Sequence, residues 1–247
     1  LNFSVIIPAR LNSTRLKNKL LMEINGEPLI IHTLKRAMSS HASSIIVATD
    51  SDEINNTIKS FGFRSVMTSS DHQSGTDRIN EVINKLKIND DDILVNVQGD
   101  EPLVDPNLIN NIAKAVETSS SEFPFVSAYK KFKSYDEYLS PNNVKVSLDS
   151  NNDALTFSRN LIGNLVINDF QPKTIGHHLG IYGYKAKSIR KFCALPQPEI
   201  ELNEKLEQLR ALYYGLKIRL VEHIGNDMIG VDTLHDFNNV KKIITSS

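Results

Sequence analysis

Cysteine and tryptophan are almost absent from this sequence. It contains a single cysteine, Cys193, and no tryptophan. One cysteine excludes an internal disulfide and suits a reducing compartment, so we expect a cytoplasmic protein. Because aromatic and aliphatic residues flank Cys193, we interpret it as a small buried residue rather than as a catalytic nucleophile.

Long apolar runs and a strong net charge are missing as well. No apolar run approaches the roughly 18 residues that a membrane-spanning helix needs. The first apolar run has no basic leader, so we expect neither a signal peptide nor membrane insertion. The formal net charge is −1, so no overall field recruits nucleic acid, and we expect no nucleic-acid partner.

The common short motifs for nucleotides and metals do not occur either. The sequence has no Walker loop and no GxGxxG, and its seven histidines form no zinc spacing with the one cysteine. Asp50 and Asp52 do form a DxD triplet, as in some glycosyltransferases. A helix N-terminus explains these two acids more simply.

Short apolar runs alternate with amphipathic segments through the first half of the chain. We predict strands at 3–7, 44–48, 64–67 and 93–97, and helices at 29–39, 52–61, from about 79, and 107–117. Short connections between alternating strands and helices are typical of an α/β fold with a doubly wound, mainly parallel sheet.

The second half has a different pattern. Between about 125 and 185, strand-like runs follow one another with few helices, which predicts a smaller antiparallel lobe or an extension of the main sheet. We predict a loop at 160–176, helices at 188–194 and 200–214, and a strand at 217–221, before a last helix with a capping box from Thr233 to Asp236. The stripe predicted to be buried on helix 200–214 is Leu202, Leu206, Leu209 and Tyr213. The length of 247 residues favours one domain that carries the 125–185 region as an insertion.

The first strand opens into a polar loop rich in cations. Pro8 cannot donate to a sheet ladder, so we expect the strand to end there. Open α/β sheets bind ligands at the carboxyl ends of their strands, and clustered cations indicate a polyanion such as a phosphate chain. A solvated basic loop is the open alternative. The polar residues of this loop are Arg10, Ser13, Thr14, Arg15, Lys17 and Lys19.

Three further stretches offer candidate ligands. Asp100 follows a buried strand and suits Mg²⁺ bridging to a phosphate, although it could instead cap the next helix. Ser74, in DHQSGTDR, could contact a base or ribose or act as an ordinary N-cap. Asp232 could be a second metal ligand, but the sequence alone favours a place just before a helix cap.

The motifs FSVIIPARLNSTRL, MTSSDHQSGTDR, VNVQGDEP, FSR, HHLGIYGY, KLEQLR and GVDT, in this order, resemble those of the 3-deoxy-manno-octulosonate cytidylyltransferases. This family makes CMP-Kdo for lipopolysaccharide. The resemblance implies a nucleotidyltransferase-like fold, Mg²⁺ as cofactor, and CTP and a 2-keto-3-deoxy sugar acid as substrates. It also implies a homodimer formed through the antiparallel region.

The resemblance also implies a role for individual residues. The catalytic residues would be Arg10, Arg15, Lys19 and Asp100. The residues beside the nucleotide would be Arg10, Ser74 and Gln98. The metal ligands would be Asp100 and Asp232. The sugar pocket would be lined by Arg159, His178, Tyr182, Glu207 and Gln208.

This sequence departs from the family pattern in two places. The usual RLPGKPL reads RLKNKLL, so we expect a more mobile phosphate loop. After FSR, the usual proline–aromatic–arginine run is replaced by residues 162–165, and His177 stands where arginine is common. These sugar-side changes leave two alternatives open: transfer to another acid such as 8-amino-Kdo, or a catalytically idle CTP-binding homologue.

Overall fold

The computed structural model describes residues 1–11, 15–163 and 172–246. Ser13 and Thr14, and part of the predicted 160–176 loop, lie outside the described residues. The strands, in chain order, are β1 Phe3–Ala9, β2 Glu23–Ile24, β3 Glu27–Pro28, β4 Ser44–Thr49, β5 Arg64–Met67, β6 Ile93–Asn96, β7 Phe125–Lys130, β8 Lys145–Leu148, β9 Ala154–Ser158, β10 Ile175–Lys185 and β11 Ile218–Glu222.

The helices alternate with these strands much as predicted. They are α1 Leu29–Met38, α2 Asp52–Ser60, α3 Gly75–Lys85, α4 Pro106–Glu117, α5 Tyr135–Leu139, α6 Ala186–Cys193, α7 Glu199–Glu204, α8 Gln208–Tyr213 and α9 Leu234–Thr245, with a 3₁₀ turn at Lys19–Leu21. Within the described part of the chain, none of them combines the length and apolar character that crossing a membrane requires.

One large sheet organises the described residues. Its strands follow the order β11-β7-β10-β6-β1-β4-β5. The pairs β1–β4, β1–β6, β4–β5 and β7–β11 are parallel, whereas β10 is antiparallel to both β6 and β7. The predicted mainly parallel α/β fold is therefore confirmed. The antiparallel strands β8 and β9 are joined to this sheet through β10.

Helices cover both faces of the sheet, and β1 shows why its sequence is apolar without interruption from Val5 to Ala9. Val5 and Ile7 pack into the core on the side of α1, α2 and α4, whereas Ile6 packs into the core formed with α3 and α6. Successive side chains of a strand point to opposite faces. A strand buried on both faces therefore needs an apolar residue at every position.

The expectation that β1 ends at Pro8 is wrong. The strand continues to Ala9, and Pro8 pairs with Ala48 of β4. On the other side, pairing with β6 ends at Ile6, whose carbonyl accepts the N–H of Val97. The backbone nitrogen of Pro8 faces the β6 side, as the backbone of Ile6 does, but the pairing between β1 and β6 has already ended at Ile6. Its missing N–H therefore costs no strand hydrogen bond.

The single helix predicted at 200–214 is interrupted. Lys205 ends α7 with a left-handed φ of 54°, and α8 begins three residues later. Leu206 and Leu209 are buried as predicted, but Leu202 is 56% exposed and Tyr213 is 65% exposed. The predicted stripe is wrong for these two residues because the break changes the direction in which the two helices present their side chains.

Strand β10 starts inside the segment that was predicted to be a loop. Ile175 and Gly176 pair with β8, so the prediction is wrong from Ile175 onward. Gly176 has a packing reason, since a Cβ there would lie only 2.3 Å from the Tyr129 ring. A glycine in a strand often marks such a close approach.

Candidate active site

The ammonium group of Lys19 brings together three distant parts of the chain. Its Nζ contacts the Asp100 carboxylate and donates to Asp232 Oδ1 at 3.0 Å. It also donates to the carbonyl of Val231 at 2.7 Å. The Lys19 side chain is only 11% exposed. The predicted cation and both predicted carboxylates therefore meet at one point.

Asp100 lies in the turn that follows β6, and it does not cap a helix. The N-cap of α4 is Asp105, so the capping alternative for Asp100 is wrong. The turn packs closely against β1, because a Cβ on Gly99 would lie 3.2 Å from the Pro8 carbonyl oxygen. Thr33 fixes the turn by donating from its hydroxyl to the Gly99 carbonyl at 2.9 Å.

Asp232 lies next to a helix cap while its carboxylate points to the cations. The cap of α9 is formed by Thr233 and Asp236, which make the predicted capping box. Asp232 Oδ2 accepts from Arg15 Nη2 at 2.8 Å. The Val231 N–H donates to the Asp100 carbonyl at 2.9 Å, which ties the two acidic turns together.

Negative charge accumulates around Lys19. Burial alone would lower the pKa of Lys19, but Asp100 and Asp232 outweigh this effect and leave it raised. Burial raises the pKa of the neighbouring Glu101 to about 8, and the charges of Asp100 and Asp232 add to that rise. Among the described residues, Glu101 Oε2 has no hydrogen-bond partner. At a pKa of about 8, Glu101 is mostly protonated at neutral pH, so the charged carboxylates are those of Asp100 and Asp232, which Lys19 and Arg15 contact.

A cleft leads away from Lys19 along the carboxyl edge of the parallel strands. Gln98 lines all three of its sections and so joins them. The outer section, next to Lys19, is lined by Arg10, Arg15, Lys19, Asp100 and Asp232. The middle section is lined by Arg10, His72, Ser74, Arg78 and Gln98. The inner section is lined by Thr76, Tyr182, Tyr184, Glu207 and Gln208.

Ser74 is the N-cap of α3. Its Oγ accepts from the Asp77 N–H at 3.1 Å and donates to Asp77 Oδ2 at 2.8 Å. The capping interpretation of the sequence therefore describes this side chain, although Ser74 also borders the middle section. A helix N-terminus at this point adds positive potential to the cleft.

Two residues of the middle section were missed in the sequence, although both lie in the DHQSGTDR motif. Arg78 is buried and donates to Asp50 Oδ2 at 2.7 Å, so Asp50 of the DxD triplet is held by an arginine. His72 Nε2 pairs with Glu81 Oε2 at 2.5 Å. Asp52 lies in the first turn of α2, as the helix explanation of the triplet expected.

Two buried oxygens without partners line the inner section. Burial raises the pKa of Glu207, while the Thr76 and Ser74 hydroxyls and Arg210 oppose that rise. In the part of the chain that the structure describes, Glu207 Oε1 and the Tyr184 hydroxyl make no hydrogen bond. Buried polar atoms are normally satisfied. These two are therefore positioned to bind a polar ligand. Tyr184 was given no role from the sequence, although it ends the HHLGIYGY motif.

The structure does not bring Arg159 and His178 into this lining. His178 Nε2 lies 2.9 Å from Ser127 Oγ, and its ring packs against Phe157 and Tyr182. Burial lowers the pKa of His178 to about 3, so the ring is neutral. Arg159 is exposed at the end of β9. Their roles at the sugar stay predictions, and in the described residues His178 supports Tyr182.

The chemistry of the acidic turns fits a divalent cation. Asp100 and Asp232 converge from two distant turns, and Glu101 lies beside them without a partner for Oε2. No cluster of three or more potential metal-ligating side chains occurs in the described ranges. The remaining ligands of such an ion would be phosphate oxygens and water, which is the arrangement that Mg²⁺ prefers.

Solved structures of nucleotidyltransferases share this architecture. A nucleotidyl transferase from Methanothermobacter is similar with a TM-score of 0.60 and 15% identity, covering 99% of this chain and 98% of that one. An identity this low shows the fold alone. A structure described as CMP:2-keto-3-deoxy-manno-octonic acid synthetase complexed with CTP has a TM-score of 0.89 and 32% identity, and the match covers 99% of both chains. The fold and site are those of a nucleotidyltransferase.

Sequence comparisons narrow this class. Residues 4–218 match the family described as Cytidylyltransferase. A 3-deoxy-manno-octulosonate cytidylyltransferase from a Nitratiruptor species is 46% identical over 96% of this chain and 97% of the relative. An 8-amino-3,8-dideoxy-manno-octulosonate cytidylyltransferase from Shewanella baltica is 42% identical over 98% of each. The chain belongs to the cytidylyltransferase family and is a nucleotidyltransferase enzyme, which confirms the resemblance found in the sequence.

Proposed function

We propose that this enzyme transfers the cytidylyl group of CTP to 3-deoxy-manno-octulosonate, giving CMP-Kdo and pyrophosphate for lipopolysaccharide synthesis. The anomeric 2-hydroxyl of the sugar acid loses its proton and attacks the α-phosphorus, and the bond from that phosphorus to pyrophosphate breaks. The observation that supports this best is the meeting of Lys19, Asp100 and Asp232 in a cleft that continues to Glu207.

The cationic end would bind the triphosphate. Arg10, Arg15 and Lys19 line the section next to the carboxylates, where they would orient the phosphates and stabilise the leaving pyrophosphate. Phosphoryl-type transfer depends on positioning and on charge stabilisation more than on covalent catalysis. Asp100 and Asp232 would hold Mg²⁺. That ion, when bound, would neutralise phosphate charge and make the sugar hydroxyl more acidic.

The inner section would bind the sugar acid. Glu207 Oε1 and the Tyr184 hydroxyl are buried acceptors or donors without partners in the described structure, and sugar hydroxyls could satisfy both. Tyr182 and Gln208 border the same space. Gln98 lines both this section and the outer section beside the cations, so a sugar bound here would lie next to Gln98 on the side opposite the phosphates.

We also propose a homodimer and a cytoplasmic location. In this proposal residues 1–247 form one domain, and its antiparallel part at about 125–185 makes the dimer contact. Support comes from β9, which pairs as a strand with β8 alone among the described strands. Its Leu155 is 63% exposed. An unpaired edge that exposes a large apolar side chain tends to be covered by a partner.

The proposed reaction is tested by measuring pyrophosphate release from CTP with Kdo and with 8-amino-Kdo, each with and without Mg²⁺. We expect Mg²⁺-dependent turnover with CTP, and a higher kcat/KM with Kdo. The second candidate, transfer to 8-amino-Kdo, is favoured by the Shewanella relative and would reverse this preference. Binding of CTP without turnover of any acid would show an idle homologue and overturn the proposal.

A further inference from the structure

A buried ion pair lies behind the inner section of the cleft, and the reaction proposed above gives it no role. Arg210 of α8 donates from Nε to Glu201 Oε2 at 2.7 Å and from Nη2 to Glu201 Oε1 at 2.6 Å. The exposed fractions of the two side chains are 3% and 7%. Such a bidentate pair fixes both the distance and the angle between the two groups.

Stability alone is a weak reason for a pair of this kind. Removing two charges from water is expensive, and replacing a buried pair with apolar residues of similar volume is often neutral or stabilising. The Arg210 guanidinium also lies over the Phe192 ring, 4.4 Å from its centroid, and Phe192 lines the inner section of the cleft. The pair therefore contacts a residue that lines the cleft, so its geometry affects the wall of the inner section.

The pair spans the break between α7 and α8. Glu201 belongs to α7 and Arg210 to α8, and each of these helices has six residues. Helices this short have little stability of their own. Lys205 between them adopts a left-handed φ of 54°, a conformation that costs roughly 1 kcal/mol or more outside glycine. Contacts between side chains, rather than the helices themselves, must therefore hold this break.

Glu207 and Gln208, at the start of α8, face the cleft. Glu207 and Gln208 line the inner section, and the Arg210 N–H donates to the Glu207 carbonyl at 3.1 Å. The charge of Arg210 also opposes the rise that burial causes in the pKa of Glu207. Arg210 therefore acts on Glu207 through a backbone hydrogen bond and through the positive charge of its guanidinium group. The hydrogen bonds of that guanidinium group go to Glu201.

We propose that the Glu201–Arg210 pair is a positioning clamp that fixes the α7–α8 break and so presents Glu207 and Gln208 to the sugar acid. The clamp acts through these two residues and does not touch the substrate. This inference rests on the proposed function, because it assigns the inner section to the sugar acid. It predicts that damage to the pair affects the sugar side and spares CTP.

The first test compares Glu201→Gln and Arg210→Met with the wild type. We expect the KM for the sugar acid to rise at least about tenfold, while the Kd for CTP measured by calorimetry changes less than twofold. The double variant should be no worse than the poorer single variant, because both remove the same contact. Arg190→Gln, which breaks the surface pair with Asp90, is the control and should leave both constants unchanged.

Hydrogen exchange gives a second readout that needs no turnover. In Glu201→Gln, the amides of Leu209 and Arg210, which donate to the carbonyls of Leu206 and Glu207, should exchange faster, and those of α3 should not. Glu201→Gln is close to isosteric, so it keeps the test available if Arg210→Met does not fold. Unchanged exchange of the Leu209 and Arg210 amides would overturn the clamp. So would an equal rise in the KM for the sugar acid and in the Kd for CTP. A wild type that releases no pyrophosphate would instead refute the proposed function, and the exchange result would still stand.

Discussion

Asp100 and Asp232 share the ammonium group of Lys19, and the turns that carry them are tied by a hydrogen bond from the Val231 N–H to the Asp100 carbonyl. The two carboxylates come from distant parts of the chain, and neither is a helix cap. The positive charge of Lys19 holds the two carboxylates close together, although they would repel each other without it. The consequences of this arrangement can be measured directly.

Replacing Asp100 with asparagine should leave the fold intact and nearly abolish turnover. Loss of one group that stabilises charge in the transition state typically costs about 10²–10³ in rate, so we expect at least a 100-fold lower kcat. Pyrophosphate release and the thermal midpoint, measured together, check this. Asp52→Asn, in the first turn of α2, is the matched control. Near wild-type activity of Asp100→Asn would remove Asp100 from the mechanism.

Replacing Lys19 with alanine should raise the KM for CTP and lower kcat. The change removes the cation that faces the outer section of the cleft, where we propose that the phosphates bind, and leaves Asp100 and Asp232 close together without their shared partner. Steady-state kinetics with varied CTP and varied sugar acid separate the two effects. Lys35→Ala, which breaks the surface pair with Glu27, should change neither. A KM effect confined to the sugar acid would contradict the role given to Lys19.

Gly230→Ala should reduce activity although it adds a single methyl group. The added Cβ would lie 2.7 Å from Glu101 Oε1, closer than such contacts allow, so either the buried Glu101 carboxyl group or the turn that carries Asp232 would have to move. We expect a fall in kcat of about tenfold or more, since misplacing a group that positions the reactants by about 1 Å can cost about 10²-fold, and we propose this role for Asp232. Gly180→Ala, where an added Cβ would meet no atom within 4 Å and φ is not left-handed, is the control for glycine replacement itself. Wild-type kinetics in Gly230→Ala would show that the turn is free to adjust.

His177 and His178 contribute stability that is lost in mild acid. Burial lowers the pKa of His178 to about 3, and burial with Lys130 lowers that of His177 to about 4. The unfolded chain binds these protons near pH 6.5, whereas the folded chain does not. The contribution of these two histidines to the free energy of unfolding should therefore be greatest above about pH 6.5 and fall as the pH drops toward 4, by at most about 2 kcal/mol for His178 at pH 5. Glu101, whose pKa is raised to about 8, contributes in the opposite direction over this range, so the histidines are tested by comparing variants.

Urea unfolding of the wild type and of His178→Gln at pH 7 and pH 5 separates the histidine contribution from that of Glu101, which is the same in both proteins. The change from pH 7 to pH 5 should be less unfavourable for the variant than for the wild type, because the variant lacks one of the groups that protonate on unfolding. An equal difference in the wild type and in His178→Gln would show that His178 is not held neutral.

Leu155→Glu should dissociate the proposed homodimer. A charge placed on the exposed edge strand β9 opposes pairing with another sheet edge. Sedimentation at several protein concentrations should show a dimer for the wild type and a monomer for the variant. Met38→Glu, at a residue of α1 that is 56% exposed, is the control and should remain dimeric. A monomeric wild type would contradict the dimer proposal itself.

Much of the fold could be predicted because local composition and burial agree along the first half of the chain. Strands such as β1 and β6 are buried on both faces, so their apolar runs identify them without knowledge of the neighbours. The cap at Thr233 is equally local, since its partners lie within three residues. The ordered motifs placed the chain in its family for the same reason: each motif is a short contiguous stretch.

The sequence by itself determined the strand–helix alternation, the family and the residue types of the site. Only the tertiary structure decided that Asp232 turns to Lys19 while Thr233 caps the helix, that β1 passes through Pro8, and that Glu207 faces a cavity. Each of these depends on a neighbour far away in the chain or across a break: Lys19 for Asp232, the end of the β6 ladder for Pro8, and the pair of Glu201 and Arg210 for Glu207. Local patterns carry no information about such neighbours, because side-chain direction is set by packing.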